Sequence, residues 1–197
     1  MALGRKLAIW LIVLGLLGAG VAIAARGMGF TSRAKPWAAE RAIARWARGW
    51  AVPAASRTAK NPVALTDLVL KDGMAHFANH CATCHSNDGS GSTPMGRSLY
   101  PPPPDMRAPA TQNLSDGELF YLIERGVPLT GMPAWGSEGS DGRDSWGLVH
   151  FIRHLPKLTP AELTEMEHLN PKAPPSAQPD RDKRIDDFLK GKGGRPE

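Results

Sequence analysis

Cysteine is nearly missing from this chain: 197 residues hold only two, Cys81 and Cys84. Structural zinc usually draws on a second knuckle farther along, and no further cysteine exists to build one. Nor does a β-branched run precede Cys81, as the buried strand in front of a thioredoxin-like dithiol would require. Acidic residues are scarce at one end, where residues 1–60 carry ten Lys or Arg against Glu40 alone. The net charge of +5 therefore averages unlike parts: +9 for 1–60, −6 for 61–170 and +2 for 171–197. A nucleic-acid binder needs its basic surface on the folded part, and here the central segment is acidic, so no nucleic-acid partner is expected. With 18 prolines and 21 glycines, much of the chain is irregular, leaving one ordinary domain with attachments.

What is there is concentrated in Cys81-Ala82-Thr83-Cys84-His85. Two thiols three positions apart can add to the two vinyl groups on one edge of a porphyrin, and the histidine directly after them can reach the iron, so the motif predicts one covalent haem c. A redox dithiol and a zinc site recruiting His76, His80 or His85 remain as alternatives.

Upstream, Arg5 and Lys6 precede nineteen uncharged residues, Leu7 to Ala25. This is longer than a signal-peptide core and long enough to cross about 30 Å of hydrocarbon, so residues 1–25 read as a signal anchor; cleavage after Val21-Ala22-Ile23-Ala24 is the competing reading. A literal positive-inside tally would keep the bulk of the protein in the cytoplasm. Haem c attachment is completed on the outer side of the membrane, and long segments translocate largely regardless of charge, which predicts an inner-membrane anchor with a periplasmic haem domain.

Residues 26–60 form a basic stretch. Trp37 to Trp50 has helical periodicity, with Arg41, Arg45 and Arg48 on one side and Ala39, Ile43, Trp46 and Trp50 opposite. Such a helix either lies on an anionic membrane surface or packs on the folded domain. Prolines and small residues predict a linker over 52–63.

The folded domain is expected over 61–170. Thr66 or Asp67 can cap a helix through Leu68, Leu70, Met74 and Phe77 that delivers the thiols and His85. Residues 86–92 are turn chemistry, and the prolines at 101–104 enforce a stiff extended run whose carbonyls suit a histidine N–H. Ser115-Asp116-Gly117-Glu118 is a capping box for a helix ending at Gly126. Beyond it, Met132 sits in an irregular loop between Gly131 and Pro133, placed to present its thioether to a metal; Met95 and Met106 are its rivals. Leu148, Phe151, Ile152 and Leu155 make one stripe of a helix over 144–155, expected to cross the first helix near Gly73 and Phe77. His150 and His154 fall opposite that stripe and read as a solvated pair. Thr159-Pro160-Ala161-Glu162 starts a short helix to about His168, and 171–197 reads as a disordered tail with a transient helix near Ile185-Leu189.

Taken together, residues from about 66 to 155 resemble a class I c-type cytochrome, most like the single-haem domains of cbb3-type oxidase cytochrome c subunits and small membrane-tethered cytochromes. That resemblance implies an all-α fold around the haem, thioether links at Cys81 and Cys84, axial ligands His85 and Met132, and Pro103 or Pro104 accepting from His85. Such domains commonly carry glycine after the haem histidine, where this chain has Ser86. An iron held by histidine and thioether has no open position, so the expected role is one-electron transfer, not catalysis, between respiratory or dehydrogenase partners with basic docking surfaces. A gas sensor or small peroxidase-like enzyme would require an open sixth position, and a structural subunit of a larger oxidoreductase would share every motif.

Overall fold

A computed structural model describes residues 2–28 and 31–170, and all regular structure among them is helical. The expected tail, 171–197 with Ile185-Leu189, lies outside the described residues. The chain divides into two compact units, Met1–Ala34 and Lys35–Glu197. The first is helix α1, Ala2–Met28, whose stretch Gly4–Gly27 has a mean hydropathy of 2.6 and none of its side chains buried. By length and composition it can cross a membrane.

The second unit opens with α2, Ala38–Ala51. Alanine-rich sequence favours helix here, and the Glu40 carboxylate accepts from the Trp37 amide at 3.3 Å to start it. The stretch expected to be a linker is folded. Ala54–Thr58 forms α3 and packs against α7, Asp116–Arg125. The reason lies on the far partner: a Cβ at Gly117 would collide with the Ser56 carbonyl oxygen and stand 2.8 Å from Ala59 Cβ, so only a bare backbone admits α3. Local composition carries no sign of that contact.

The core forms where α4, Asp67–His76, crosses α8, Arg143–His154. Thr66 Oγ1 caps α4 by accepting from the Val69 amide. The stripe Leu148, Phe151, Ile152 and Leu155 is buried, with Met74 and Phe77 facing it and the Phe77 and Phe151 rings 5.2 Å apart. Phe151 alone, fully buried, contributes on the order of 1.5–3 kcal/mol. The crossing does fall at Gly73: a Cβ there would lie 2.5 Å from the Gly147 carbonyl oxygen.

After the short α6, Pro109–Gln112, α7 begins at the expected capping box, Ser115 Oγ accepting from the Glu118 amide and Glu118 from the Ser115 amide. Phe120 of α7 stacks on Trp146 of α8 at 4.1 Å. Helix α9, Pro160–Leu169, starts at the Thr159–Glu162 box. The reading of His150 and His154 as a solvated pair is corrected. Both are half-buried: His150 Nε2 meets the Val63 carbonyl, from a segment remote in sequence, and His154 Nε2 meets the Glu162 carboxylate of the helix that follows, each at 2.7 Å.

Candidate functional site

The motif helix is not one regular α-helix. After α4 the backbone widens into a π turn, Phe77–Cys81, and resumes as α5, Ala82–His85. A π turn needs outside support for the carbonyls its wider winding sets loose. Here Asn170, just past α9, supplies it, its Nδ2 donating to the Ala78 carbonyl at 2.6 Å and to Asn87 Oδ1 at 2.9 Å. Periodicity gave no sign of Asn170, since its partner lies 92 residues away.

The end of α5 is closed by the turn-rich segment behind it. The Gly91 amide donates to the His85 carbonyl at 2.8 Å, and Thr93 Oγ1 lies 2.8 Å from the Thr83 carbonyl and 3.2 Å from that of Cys84. Thr93 is a second residue that sequence reasoning missed. Its signal was its place in a Ser/Thr/Gly run, which marks a turn but not what the turn caps. Ser86 leaves the helix at φ 65°, ψ 154°, a region that is essentially glycine's, and this is the position where the resembling domains commonly have glycine.

Cys81, Cys84 and His85 are thereby held on one turn. Burial, reinforced by Cys84, pushes the Cys81 thiol up to about 12, and burial raises Cys84 as well. Exchange dithiols work through a lowered thiol pKa, so this environment is the reverse of a thioredoxin-like one. No group of three His, Cys, Asp or Glu side chains converges among the described residues, which leaves the thiols without the further ligands a zinc site needs.

His85 is 8% exposed, and burial pushes its imidazole down to about 4, so it is neutral at ordinary pH, the form in which a ring nitrogen can ligate a metal. Its Nδ1 is buried with no hydrogen-bond partner among the described residues. The expected bond from His85 to a proline carbonyl is therefore not formed. The Pro103 carbonyl instead lies against Gly91, close enough that a Cβ there would come within 2.6 Å. A buried imidazole kept neutral, with a ring nitrogen left free among the described residues and two thiols at vinyl spacing beside it, fits haem c.

The three methionines occupy different settings. Met106 is buried in the core cluster, and Met95 sits on an exposed turn. Met132 is half-buried in a loop pinned to the end of α7: the Val127 amide donates to the Met132 carbonyl at 3.1 Å, and the Met132 amide to Thr130 Oγ1 at 3.1 Å. Three residues on, the Trp135 ring is 5.6 Å from His80, and His80 is 4.9 Å from His76. This row of rings sets the methionine loop beside the π turn that carries Cys81. Burial, then the neighbouring His80, lowers the pKa of His76 despite the opposing pull of Asp144.

Among known proteins, the family described as cytochrome c oxidase, cbb3-type, subunit III matches residues 69–152, a little under half of the chain. No curated protein matches the chain. The matched span runs from α4 through the π turn and the Met132 loop into α8.

Proposed function

Residues 69–152 are a class I c-type cytochrome domain like those of cbb3-type oxidases, and from that premise we propose that the protein is a membrane-tethered one-electron carrier. Cys81 and Cys84 would hold a single haem c through thioether links, and His85 and Met132 would offer its iron a nitrogen and a thioether as ligands. When bound, the haem supplies a one-electron Fe(III)/Fe(II) couple whose reduced state the thioether favours. The protein's part is to fix its ligands before and after the electron passes. Asn170 and Thr93 hold the motif helix, and burial keeps His85 neutral. The observation that carries this reading is the buried, neutral His85 imidazole, its Nδ1 without a partner among the described residues, directly after the two thiols.

Helix α1 tethers the domain at the outer, periplasmic face of the inner membrane, where it exchanges electrons with respiratory or dehydrogenase partners. Residues 61–170 carry a net −6, which suits partners with basic docking surfaces.

The test replaces the proposed sixth ligand. Met132→Ala should leave the haem covalently attached, lower its potential, remove the thioether charge-transfer band of the oxidised protein and let the reduced protein take carbon monoxide. Met95→Ala and Met106→Ala should do none of this to the spectrum. If Met132→Ala kept the band and one of the other two lost it, the ligand assignment would fall. If none of the three changed the spectrum, the sensor or enzyme reading with an open sixth position would replace the carrier.

A further inference from the structure

Helix α2 leaves its apolar face without a partner among the described residues. Ile43, Trp46 and Trp50 are 65%, 72% and 77% exposed, and no residue of the helix is buried. Of the two sequence readings of this helix, packing on the folded domain is thus not the one realised by its tryptophans. Its tie to the domain lies elsewhere: the Tyr100 hydroxyl donates to Glu40 Oε1 at 2.6 Å, at the head of the proline run. On the helical wheel Glu40 borders the apolar face, roughly 60° from Ile43 and roughly 80° from Trp50, yet with this bond in place the three apolar side chains stay exposed.

The geometry points to a lipid surface as the occupant of that face: α2 lies in the headgroup region of an anionic bilayer, with Ile43, Trp46 and Trp50 inserted and Arg41, Arg45 and Arg48 on the opposite side. This rests on the reading of α1 as a membrane span. Two observations select lipid. First, only nine residues, 29–37, separate Met28 from Ala38, and they reach no farther than about 35 Å fully extended, so α2 cannot leave the neighbourhood of the membrane. Second, the helix and its approach hold five cations, Arg33, Lys35, Arg41, Arg45 and Arg48, against Glu40 alone, and Glu40 is engaged by Tyr100. Basic residues near a bilayer are drawn to anionic headgroups, and tryptophan prefers the same depth because its ring is apolar and its N–H is not. With Tyr100 bonded to Glu40, a seated α2 would hold the start of the proline run, and with it the orientation of the haem domain, relative to the membrane plane.

The experiment uses the full haem-bearing chain reconstituted alone into bilayers containing a phospholipid with a photoactivatable diazirine on its acyl chain, followed by peptide mapping of the lipid adducts. In bilayers rich in phosphatidylglycerol, adducts should appear on residues 38–51 as well as on 7–25. The yield on 38–51 should be several-fold lower in pure phosphatidylcholine. The double substitution Trp46→Ser, Trp50→Ser, at exposed positions outside the haem site, should reduce adducts on 38–51 to background and leave the haem spectrum and the adducts on 7–25 unchanged. Adducts confined to 7–25 would overturn the proposal and leave the anchor standing, and α2 would then be free for a protein partner. Equal yields in both lipids would overturn the anionic assignment. No adducts on 7–25 would overturn the anchor itself.

Discussion

Gly73→Ala and Gly147→Ala make a matched pair, because the two glycines face each other where α4 crosses α8 yet meet different surroundings. At Gly73 the new Cβ would stand 2.5 Å from the Gly147 carbonyl oxygen, 3.0 Å from its carbon and 3.3 Å from Phe151 Cβ. Ordinary contact between such atoms lies near 3.5 Å, so the helices must part by roughly 1 Å, and a gap of that size forfeits up to about half of the dispersion energy along the seam. A backbone carbonyl inside a helix cannot rotate away as a side chain can. The cost therefore sits at or above the upper end of the ~1–3 kcal/mol typical of overpacking, against about 1 kcal/mol returned by alanine's better helix propensity. The net expectation is a loss of about 2 kcal/mol. At Gly147 the nearest atom is the Val69 carbonyl oxygen at 3.9 Å, so the propensity gain stands and stability should rise by roughly 0.5–1 kcal/mol. Guanidinium unfolding of the haem-bearing protein in detergent, followed by far-ultraviolet circular dichroism, measures both. Equal effects of the same sign at the two positions would refute the reasoning, since the packing asymmetry is its sole basis.

Three further outcomes follow from contacts around the motif helix. Asn170→Ala removes the donor to the buried Ala78 carbonyl, a loss of about 1–3 kcal/mol partly offset by relieving the unpartnered Asn170 Oδ1; amide hydrogen exchange should accelerate over 77–85 well before it does in α7. Ser86→Gly should raise stability by about 1 kcal/mol in thermal unfolding, because ~1–3 kcal/mol of backbone strain is released while the freer unfolded chain takes back ~0.4–1 kcal/mol. Burial works against ionisation of Glu162, but the amide and hydroxyl of Thr159 and the ring of His154 outweigh it and hold its carboxyl below the usual 4.5. That contribution is complete above pH 4.5 and lost as pH falls through the lower folded value, so Glu162→Gln should weaken the protein at pH 7 and shrink the further loss between pH 5 and 3, read from unfolding midpoints across pH.

Elements whose cause is local were legible in the sequence. The capping boxes at Ser115–Glu118 and Thr159–Glu162 act across three residues, and the stripe through Leu148 and Leu155 announces a buried face by its period alone. Gly73 was legible for a different reason: a glycine in the middle of an amphipathic helix has few uses other than close approach. What could not be read depends on partners far along the chain. The docking of α3 is decided at Gly117, the covering of His150 at Val63, and the π turn at Asn170. At the site the same division holds. The spacing of Cys81, Cys84 and His85 states its chemistry, while the groups that hold that turn in shape, Thr93 and Asn170, carry no motif.

The positive φ at Ser86 connects these two kinds of information. A chain leaving the haem motif must turn at once so that residues 89–96 can return under α5, where the Gly91 amide and Thr93 hydroxyl close the carbonyls of His85, Thr83 and Cys84. No right-handed helical exit brings them there, so the turn demands a backbone conformation that only glycine adopts freely. Serine accepts the conformation because the closure it makes possible offsets the strain: two donors, the Gly91 N–H and the Thr93 O–H, reach the open carbonyls at about 1 kcal/mol each, against ~1–3 kcal/mol at one residue. The balance is narrow, and it puts the weakest backbone position of the motif directly beside the histidine proposed to hold the iron. A loosening there would reach His85, its immediate neighbour, which is why stability measured at Ser86 and iron ligation by His85 should move together across variants of this turn.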